Sequence, residues 1–326
     1  MTIKGENTIK INNILIGEVW LCSGQSNMEM PVGKSGVYKG VENFEQEVKD
    51  VNYSQIRFLQ IPHNSSGIAV PELNIRWTTC SSESVYWSSA VSFFFAKKLS
   101  HDLQVPVGII NAAWGGSAIQ PWTPLKGFEL LNGFEKEITQ IETLDQRYNS
   151  SLHITKKEWE KLIFDVMDTL APVKPSIAWL ARPTLPESGH KLTYPDPSSL
   201  FNAMIAPLIP YAIHGVLWYQ GESNLGDGVL YSKRMEALIK GWRKEWRQGD
   251  FPFYYVQIAP FVYKDWPVKN ASPDLLLTLW DAQRAVLSTT NTGMVSTEDI
   301  GDPEDIHPRH KKQVGERLAD LALKHM

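Results

Sequence analysis

Ile14-Leu15-Ile16-Gly17-Glu18-Val19-Trp20-Leu21-Cys22-Ser23-Gly24-Gln25-Ser26-Asn27-Met28 passes from an apolar run to a polar turn within two residues. The run Ile14–Cys22 is predicted as a largely buried strand, because strands covered on both faces read as near-continuous apolar stretches rather than alternating ones. The turn that follows has a glycine, which permits tight chain reversal, and then a serine. In open α/β sheets ligands bind at the carboxyl ends of strands, so Ser26 stands where a nucleophile would be useful. Taken alone, a serine in such a loop is usually a turn residue.

Five further runs read as strands: Ile56–Ile61, Val107–Ala113, His214–Gln220, Phe253–Ala259 and Thr292–Thr297. Between them lie amphipathic stretches at helical spacing, Ser89–Leu103, Val229–Trp246, Ala282–Thr289 and Lys311–Lys324, the last with Val314, Leu318 and Leu321 on one face. This alternation predicts an α/β fold with a mostly parallel central sheet and helices on both faces. The stretch 124–200 breaks the rhythm. It holds one predicted helix, Lys156–Leu170, and then Pro172, Pro175, Pro183, Pro186, Pro195 and Pro197. It reads as an insertion after the third strand, equally suited to shaping a substrate pocket or to structural elaboration. No internal repeat is present.

The 326 residues are 43% hydrophobic and 21% charged, with a formal net charge of −4. That is a globular profile without the basic footprint of a nucleic-acid binder. Lys240, Arg243, Lys244 and Arg247 recur at helical spacing beside Trp242 and Trp246, and read as a solvated helix face. Most of the 12 Trp are assigned to the core, although flat indoles also serve as platforms for sugar rings. Cys22 and Cys80 are too few for a disulfide scaffold or a metal cluster, and Cys22 reads as a buried free thiol. No apolar run reaches the length of a membrane span. The opening MTIKGENTIK has no apolar signal core, and the strand follows so soon that the chain reads as one trimmed of an export signal. Asn52, Asn64, Asn149 and Asn270 begin Asn-x-Ser sequons, which matter only in a secreting eukaryote.

Three more polar blocks close predicted strands or precede the last helix. In Asn111-Ala112-Ala113-Trp114-Gly115-Gly116-Ser117, paired glycines let the backbone approach a ligand and present N–H groups to an oxyanion. In Trp218-Tyr219-Gln220-Gly221-Glu222-Ser223-Asn224, Gln220 and Asn224 offer side-chain N–H groups, and Glu222 suits a loop anchor or a partner for a substrate hydroxyl. Asp302-Pro303-Glu304-Asp305-Ile306-His307-Pro308 supplies a base with carboxylates in reach, which is what a serine needs to become an alkoxide. His310 raises a metal alternative, but no other His or Cys complements it at ligand spacing. The nucleophile elbow G-x-S-x-G is excluded by Met28. Each block alone reads best as an ordinary turn; all of them at one edge of a parallel sheet do not.

Together the blocks resemble the SGNH-hydrolase superfamily, and within it the sialate O-acetylesterase family and its acetylxylan esterase relatives. The run from Gly17 to Glu29 is the closest match, Trp218–Asn224 and Asp305-Ile306-His307-Pro308 match later blocks, and the set frames nearly the whole chain. The resemblance implies an SGNH-hydrolase-like three-layer α/β sandwich and a carbohydrate O-acetylesterase that works through an acetyl-serine, with no metal or other cofactor. It makes Ser26 the nucleophile and His307 the general base. Backbone N–H groups of Ser26 and Gly116 would hold the oxyanion, with Gln220 as the side-chain donor and Asn224 in reserve. Gln25, Asn27, Trp114 and Glu222 are expected to contact substrate. One departure concerns the acid that orients His307: the superfamily's Asp-x-x-His spacing falls on Glu304, whereas Asp305 matches the family's own Asp-Ile-His-Pro form. Asp305 is the expected acid, with Glu304, Asp302 or a backbone carbonyl as alternatives.

Residues 1–13 resemble the end of a β-rich segment that relatives often carry, which leaves 14–326 as the esterase domain. The implied substrate is an O-acetylated sugar or glycan met in the periplasm or outside the cell, with neither nucleic acid nor membrane as a partner. Sialate 9-O-acetyl esters come first, and acetylxylan or another plant glycan is the alternative. A sialate carboxylate would call for a nearby cation, for which Arg182, Lys191 and Arg284 are candidates. Two other classes compete. A non-catalytic carbohydrate-binding module would have no use for Ser26 and His307. A glycoside hydrolase working through Glu222 and Asp305 would leave Ser26 and the glycine turn without purpose.

Overall fold

Strand pairing sets the architecture. The computed structural model describes residues 1–146, 196–263 and 274–326, with positions 157 and 161. In chain order its strands are β1 (Thr2–Lys4), β2 (Thr8–Lys10), β3 (Glu18–Gly24), β4 (Asn52–Gln60), β5 (Thr78–Ser81), β6 (Val107–Ala113), β7 (Gly215–Tyr219), β8 (Phe253–Val256) and β9 (Thr292–Val295). β1 and β2 form an exposed antiparallel hairpin. The others make one seven-stranded sheet in the order β5-β4-β6-β3-β7-β8-β9, parallel throughout except for β5 at the edge. All five residues of β7 are buried, the mark of a strand covered on both faces.

The helices are α1 (Ser26–Glu29), α2 (Phe44–Val48), α3 (Ser82–Trp87), α4 (Ala90–Leu103), α5 (Leu125–Glu129), α6 (Leu230–Trp246), α7 (Leu275–Ala285) and α8 (Lys311–His325). α4 and α8 cover one face of the sheet: Trp20 of β3 meets Phe95 edge-on at 5.1 Å, and Tyr254 of β8 lies 6.1 Å from His325. α6 and α7 cover the other, with α5 packed against α6. There Trp218 is packed between Trp122 and Trp242, and Tyr255 donates to the Gln283 carbonyl at 2.8 Å. Full burial of side chains this large contributes about 1.5–3 kcal/mol apiece, so these indoles are core members and not sugar platforms. α4 begins where the Ser89 hydroxyl accepts the Ser92 N–H and stops at left-handed Gln104.

The layers are those expected, with local differences. Ile14–Gly17 is exposed chain rather than strand, because pairing begins only where Glu18 meets Val107; Ile16 is 90% exposed. β5 escaped notice since Thr78-Thr79-Cys80-Ser81 is short and polar. The predicted helix Ala282–Thr289 starts earlier, at Leu275, and ends as a 3₁₀ turn over Val286–Ser288. Arg243 is not on a solvated face: it is buried and donates to the carbonyls of Phe251, Thr290 and Asn291. Cys22 and Cys80 are free and buried, and burial pushes each thiol up to about 12. The described start of the 124–200 stretch packs Phe128, Phe134 and Ile141 against Ala237 of α6. The predicted helix Lys156–Leu170 apart from positions 157 and 161, the prolines from Pro172 to Pro195, Arg182, Lys191, Asn149 and Asn270 lie outside the described residues.

Candidate active site

Register decides where the chemistry sits. Gly24 pairs with Ala113 of β6 on one side and with Tyr219 of β7 on the other, so three strands end on one row. The segments that leave them, starting at Gln25, Trp114 and Gln220, therefore emerge side by side. Gln25 N donates to the Tyr219 carbonyl at 3.0 Å and Trp114 N to that of Gly24 at 3.1 Å, which ties the three exits together. Strand order also reverses direction around β3, and a parallel sheet leaves a crevice at its carboxyl edge at such a point. Ser26 opens α1 there and is 8% exposed. An N–H at a helix start has no intrahelical acceptor, so it is available to an oxyanion.

Glu29 ends α1, one turn beyond the serine. Its Oε2 accepts the Gly115 N–H at 2.7 Å and the Tyr38 hydroxyl at 3.2 Å, while Oε1 lies 2.8 Å from His63 Nε2. Burial opposes ionisation of this carboxyl, but His63, Gly115 and Tyr38 outweigh it and hold it below its ordinary value. The same pairing raises His63. With the Gly115 N–H held by Glu29, the turn is oriented. Gly116 follows at φ +75°, with open space where a side chain would stand. A Cβ on Gly115 would lie 3.5 Å from that of Ser26, so this turn borders the serine directly. Glu29→Ala is expected to release the turn and lower kcat about 100-fold, the scale of an ångström of misplacement. Glu29→Gln, which still accepts from Gly115, should retain more activity; equal losses in steady-state assays would assign Glu29 a charge role instead.

His307 lies in the segment between β9 and α8, half-buried, with the Tyr38 ring edge-on at 5.0 Å. Its pKa is lowered to about 4, first by burial and then by Lys311, against the opposing charges of Asp305 and Glu29. At neutral pH the ring is therefore uncharged, the form that accepts a proton. Protonation removes that acceptor. kcat/KM is accordingly expected to stay level as pH falls past 6.5, the value for an unperturbed ring, and to drop only near 4. A pH profile with folding followed by circular dichroism checks this; an acid limb near 6.5 would mean a solvated ring.

Several expected roles change. Asp305 does not bond the imidazole: Oδ1 accepts the His307 backbone N–H at 3.0 Å and Oδ2 accepts Lys39 at 2.7 Å. It shapes the loop and reaches the ring through charge. Asp302 and Glu304 are exposed, with Asp302 accepting the Glu304 N–H. Gln220 Nε2 donates to Ser117 O at 3.1 Å and Asn224 Oδ1 at 2.7 Å; Asn224 Nδ2 donates to Gln120 at 2.9 Å and Asp227 at 2.7 Å. A carboxamide has two N–H bonds, so neither residue has one left for an oxyanion; both brace the loops around it. Gln25, Asn27 and Glu222 are no more than 2% exposed and act as internal struts rather than substrate contacts. Gln25 Oε1 accepts from Gly221 and Ser223, and Asn27 Nδ2 donates to Glu222 Oε1 at 2.5 Å. Trp114 alone of the expected substrate contacts is partly exposed, its ring stacked on His63 at 4.5 Å.

A buried Glu222 also leaves the paired-carboxylate reading without one of its two carboxylates open to substrate. Arg284 pairs with Asp281 on its own helix at 2.7 Å. His310 lies 3.1 Å from Glu42, and among the described residues no group of three or more His, Cys, Asp or Glu is placed to hold a metal ion. Grooves of about 560 and 540 Å³ lie elsewhere, the second at the amino ends of β3 and β6, where a parallel sheet does not place its chemistry. Glu29, Tyr38, His63 and Lys311 belong to the site and were missed. Glu29 closed the serine motif and was the one legible from it.

A family described as carbohydrate esterase, sialic acid-specific acetylesterase, matches residues 16–157 and 186–324. The sialate O-acetylesterase of Mus musculus is 27% identical over 344 residues, covering 95% of this chain and 57% of that protein. The chain thus spans little more than half the length of this curated relative. Among solved structures, a carbohydrate acetylesterase from Xanthomonas citri is similar at 30% identity and a TM-score of 0.68, covering 95% of this chain and 56% of that one. An Arabidopsis thaliana protein, 18% identical with a TM-score of 0.50 over 94% of this chain and 98% of its own, shares the fold. No helix among the described residues is long and apolar enough to cross a membrane.

Proposed function

Because the chain belongs to the sialic acid-specific acetylesterase family of carbohydrate esterases, we propose that it removes acetyl groups from sugar hydroxyls through an acetyl-serine. The observation that carries the reading is the shared row of Gly24, Ala113 and Tyr219, which sets Ser26 beside the glycine turn, with the His307 segment bonded to Asn27, the serine's neighbour. Ser26 Oγ attacks the acetyl carbonyl while the neutral His307 ring takes its proton. Negative charge on the carbonyl oxygen is met by the backbone N–H groups of Ser26 and Gly116. The intermediate collapses, the C–O bond to the sugar breaks, and the departing oxygen takes the proton from His307. Water, deprotonated by the same ring, then attacks the acetyl-serine, releasing acetate and restoring Ser26. Asp305 contributes negative charge that favours the imidazolium formed in each step.

The proposed substrate is a 9-O-acetylated sialate, in keeping with the name of the curated relative, and the proposed location is the periplasm or the cell exterior. Trp114 on His63 offers the face against which a sugar ring packs. The test is acetate release from 9-O-acetyl sialic acid, acetylated xylan and p-nitrophenyl acetate side by side, with capture of Ser26 by a fluorophosphonate located by peptide mass. Release with labelling at Ser26 is expected, fastest from the sialate. Preference for xylan would move the substrate to plant glycans. Neither release nor labelling from a folded protein would point to a binding module.

A further inference from the structure

We propose that Lys311, acting through Asn27 and Glu222, is the positioning residue that holds His307 against Ser26, an inference that rests on the Ser–His reading above. Lys311 opens α8, close in chain to the histidine, yet it is 0% exposed. Its ammonium donates to Asn27 Oδ1 and to Pro308 O, each at 2.7 Å, and lies 5.4 Å over the Tyr219 ring. Asn27 uses its whole carboxamide: Oδ1 accepts from Lys311, while Nδ2 donates to Glu222 Oε1 and to Ile306 O at 2.9 Å. The carbonyls on both sides of His307 are therefore fastened. One is held by the residue that follows Ser26, the other by the lysine that grips that residue. The backbone on either side of His307 is thus located from the side chain of the residue that follows Ser26.

The materials of this clamp are costly. Asn27 and Glu222 are as deeply buried as Lys311, and burying an ammonium and a carboxylate is unfavourable unless they are paired and hydrogen-bonded. Burial lowers Lys311 to about 7 and raises Glu222, and Glu222 Oε2 has no hydrogen-bond partner among the described residues. Backbone or apolar contacts would suffice to close a loop. A buried charged network where the serine and histidine segments meet is better explained by the need for exact placement.

Charge gives the clamp a signature that a purely structural role lacks. The groups facing His307 are Lys311 from α8, Glu29 from α1, Lys39 and Tyr38 from the segment after α1, and Asp305 from its own loop. Lys311 is the strongest of these charges. Lys311→Met is expected to lower kcat about 100-fold with KM little changed, and to move the acid limb of kcat/KM upward. Asn27→Ala removes the Ile306 anchor without altering charge, so kcat should fall while the limb stays. Both are assayed with His307→Ala on one acetyl ester, with folding followed by circular dichroism. Loss in His307→Ala together with wild-type kcat in Lys311→Met and Asn27→Ala would overturn the positioning role and leave the Ser–His reading intact. An unmoved limb in a folded Lys311→Met would also overturn it. Turnover retained by His307→Ala would sink the Ser–His reading and this inference with it. Should Lys311→Met fail to fold, Asn27→Ala decides: reduced kcat supports the clamp and wild-type kcat rejects it.

Discussion

Ser26→Ala is expected to lower kcat on an acetylated sugar by about a million-fold while leaving the fold intact. The size follows from the way a nucleophile and its base act as a unit: removing one member costs nearly as much as removing all, and only oxyanion binding and orientation remain. The fold should survive because the substitution deletes one small hydroxyl. The backbone bonds of the helix start, including Met30 N to Ser26 O at 2.8 Å, do not involve it. Acetate release, fluorophosphonate labelling and thermal unfolding of wild type and variant make the comparison complete. Turnover within a few-fold of wild type, in a protein with an unchanged melting point, would remove Ser26 from the chemistry.

Gly24→Ala should have the largest effect on stability. Gly24 stands at φ +137°, a conformation that side-chain-bearing residues rarely adopt, and an added Cβ would lie 2.2 Å from the Tyr219 carbonyl oxygen and 2.7 Å from its carbon. Both obstacles are backbone, so no rotamer change relieves them. The methyl must push β7 away from β3 at the row where the two strands end and where Gln25 N bonds Tyr219 O. Backbone strain and overpacking of this kind cost about 1–3 kcal/mol each, a large part of the roughly 5–15 kcal/mol that holds a domain folded. A melting point lowered by several degrees is expected, with reduced kcat in whatever remains folded, since the same row aligns the three loops. An unchanged melting point would mean that the turn relaxes without disturbing the row.

How legible each feature was depended on the range of the forces that make it. Val107–Ala113 was predicted with its observed bounds because a doubly covered strand is apolar along its own length. Ile14–Gly17 was read as strand from the same apolarity and is exposed, since a strand exists only where a neighbour pairs with it. Arg243 reads as solvated from its charge, and Lys311 reads only as the first residue of an amphipathic stretch. Each is buried because acceptors satisfy its N–H groups: the carbonyls of Phe251, Thr290 and Asn291 for Arg243, and Asn27 Oδ1 with the Pro308 carbonyl for Lys311. Gln220 and Asn224 were well chosen as donors by type, but what a donor does depends on which acceptor reaches it first.

The amino-acid sequence by itself determined the alternation of strands and helices, the serine, glycine and histidine blocks, and their arrival at one edge of a parallel sheet. These follow from hydrophobic periodicity and turn chemistry, which act over a few residues. Tertiary structure alone decided that Glu29 holds the glycine turn, that Asp305 grips backbone rather than ring, and that Lys311 and Asn27 fasten the His307 segment to that of Ser26. Those assignments rest on contacts between residues up to 284 positions apart. A hydrogen bond over that separation is specified by the packing that brings its partners within about 3 Å, and no local pattern carries that information.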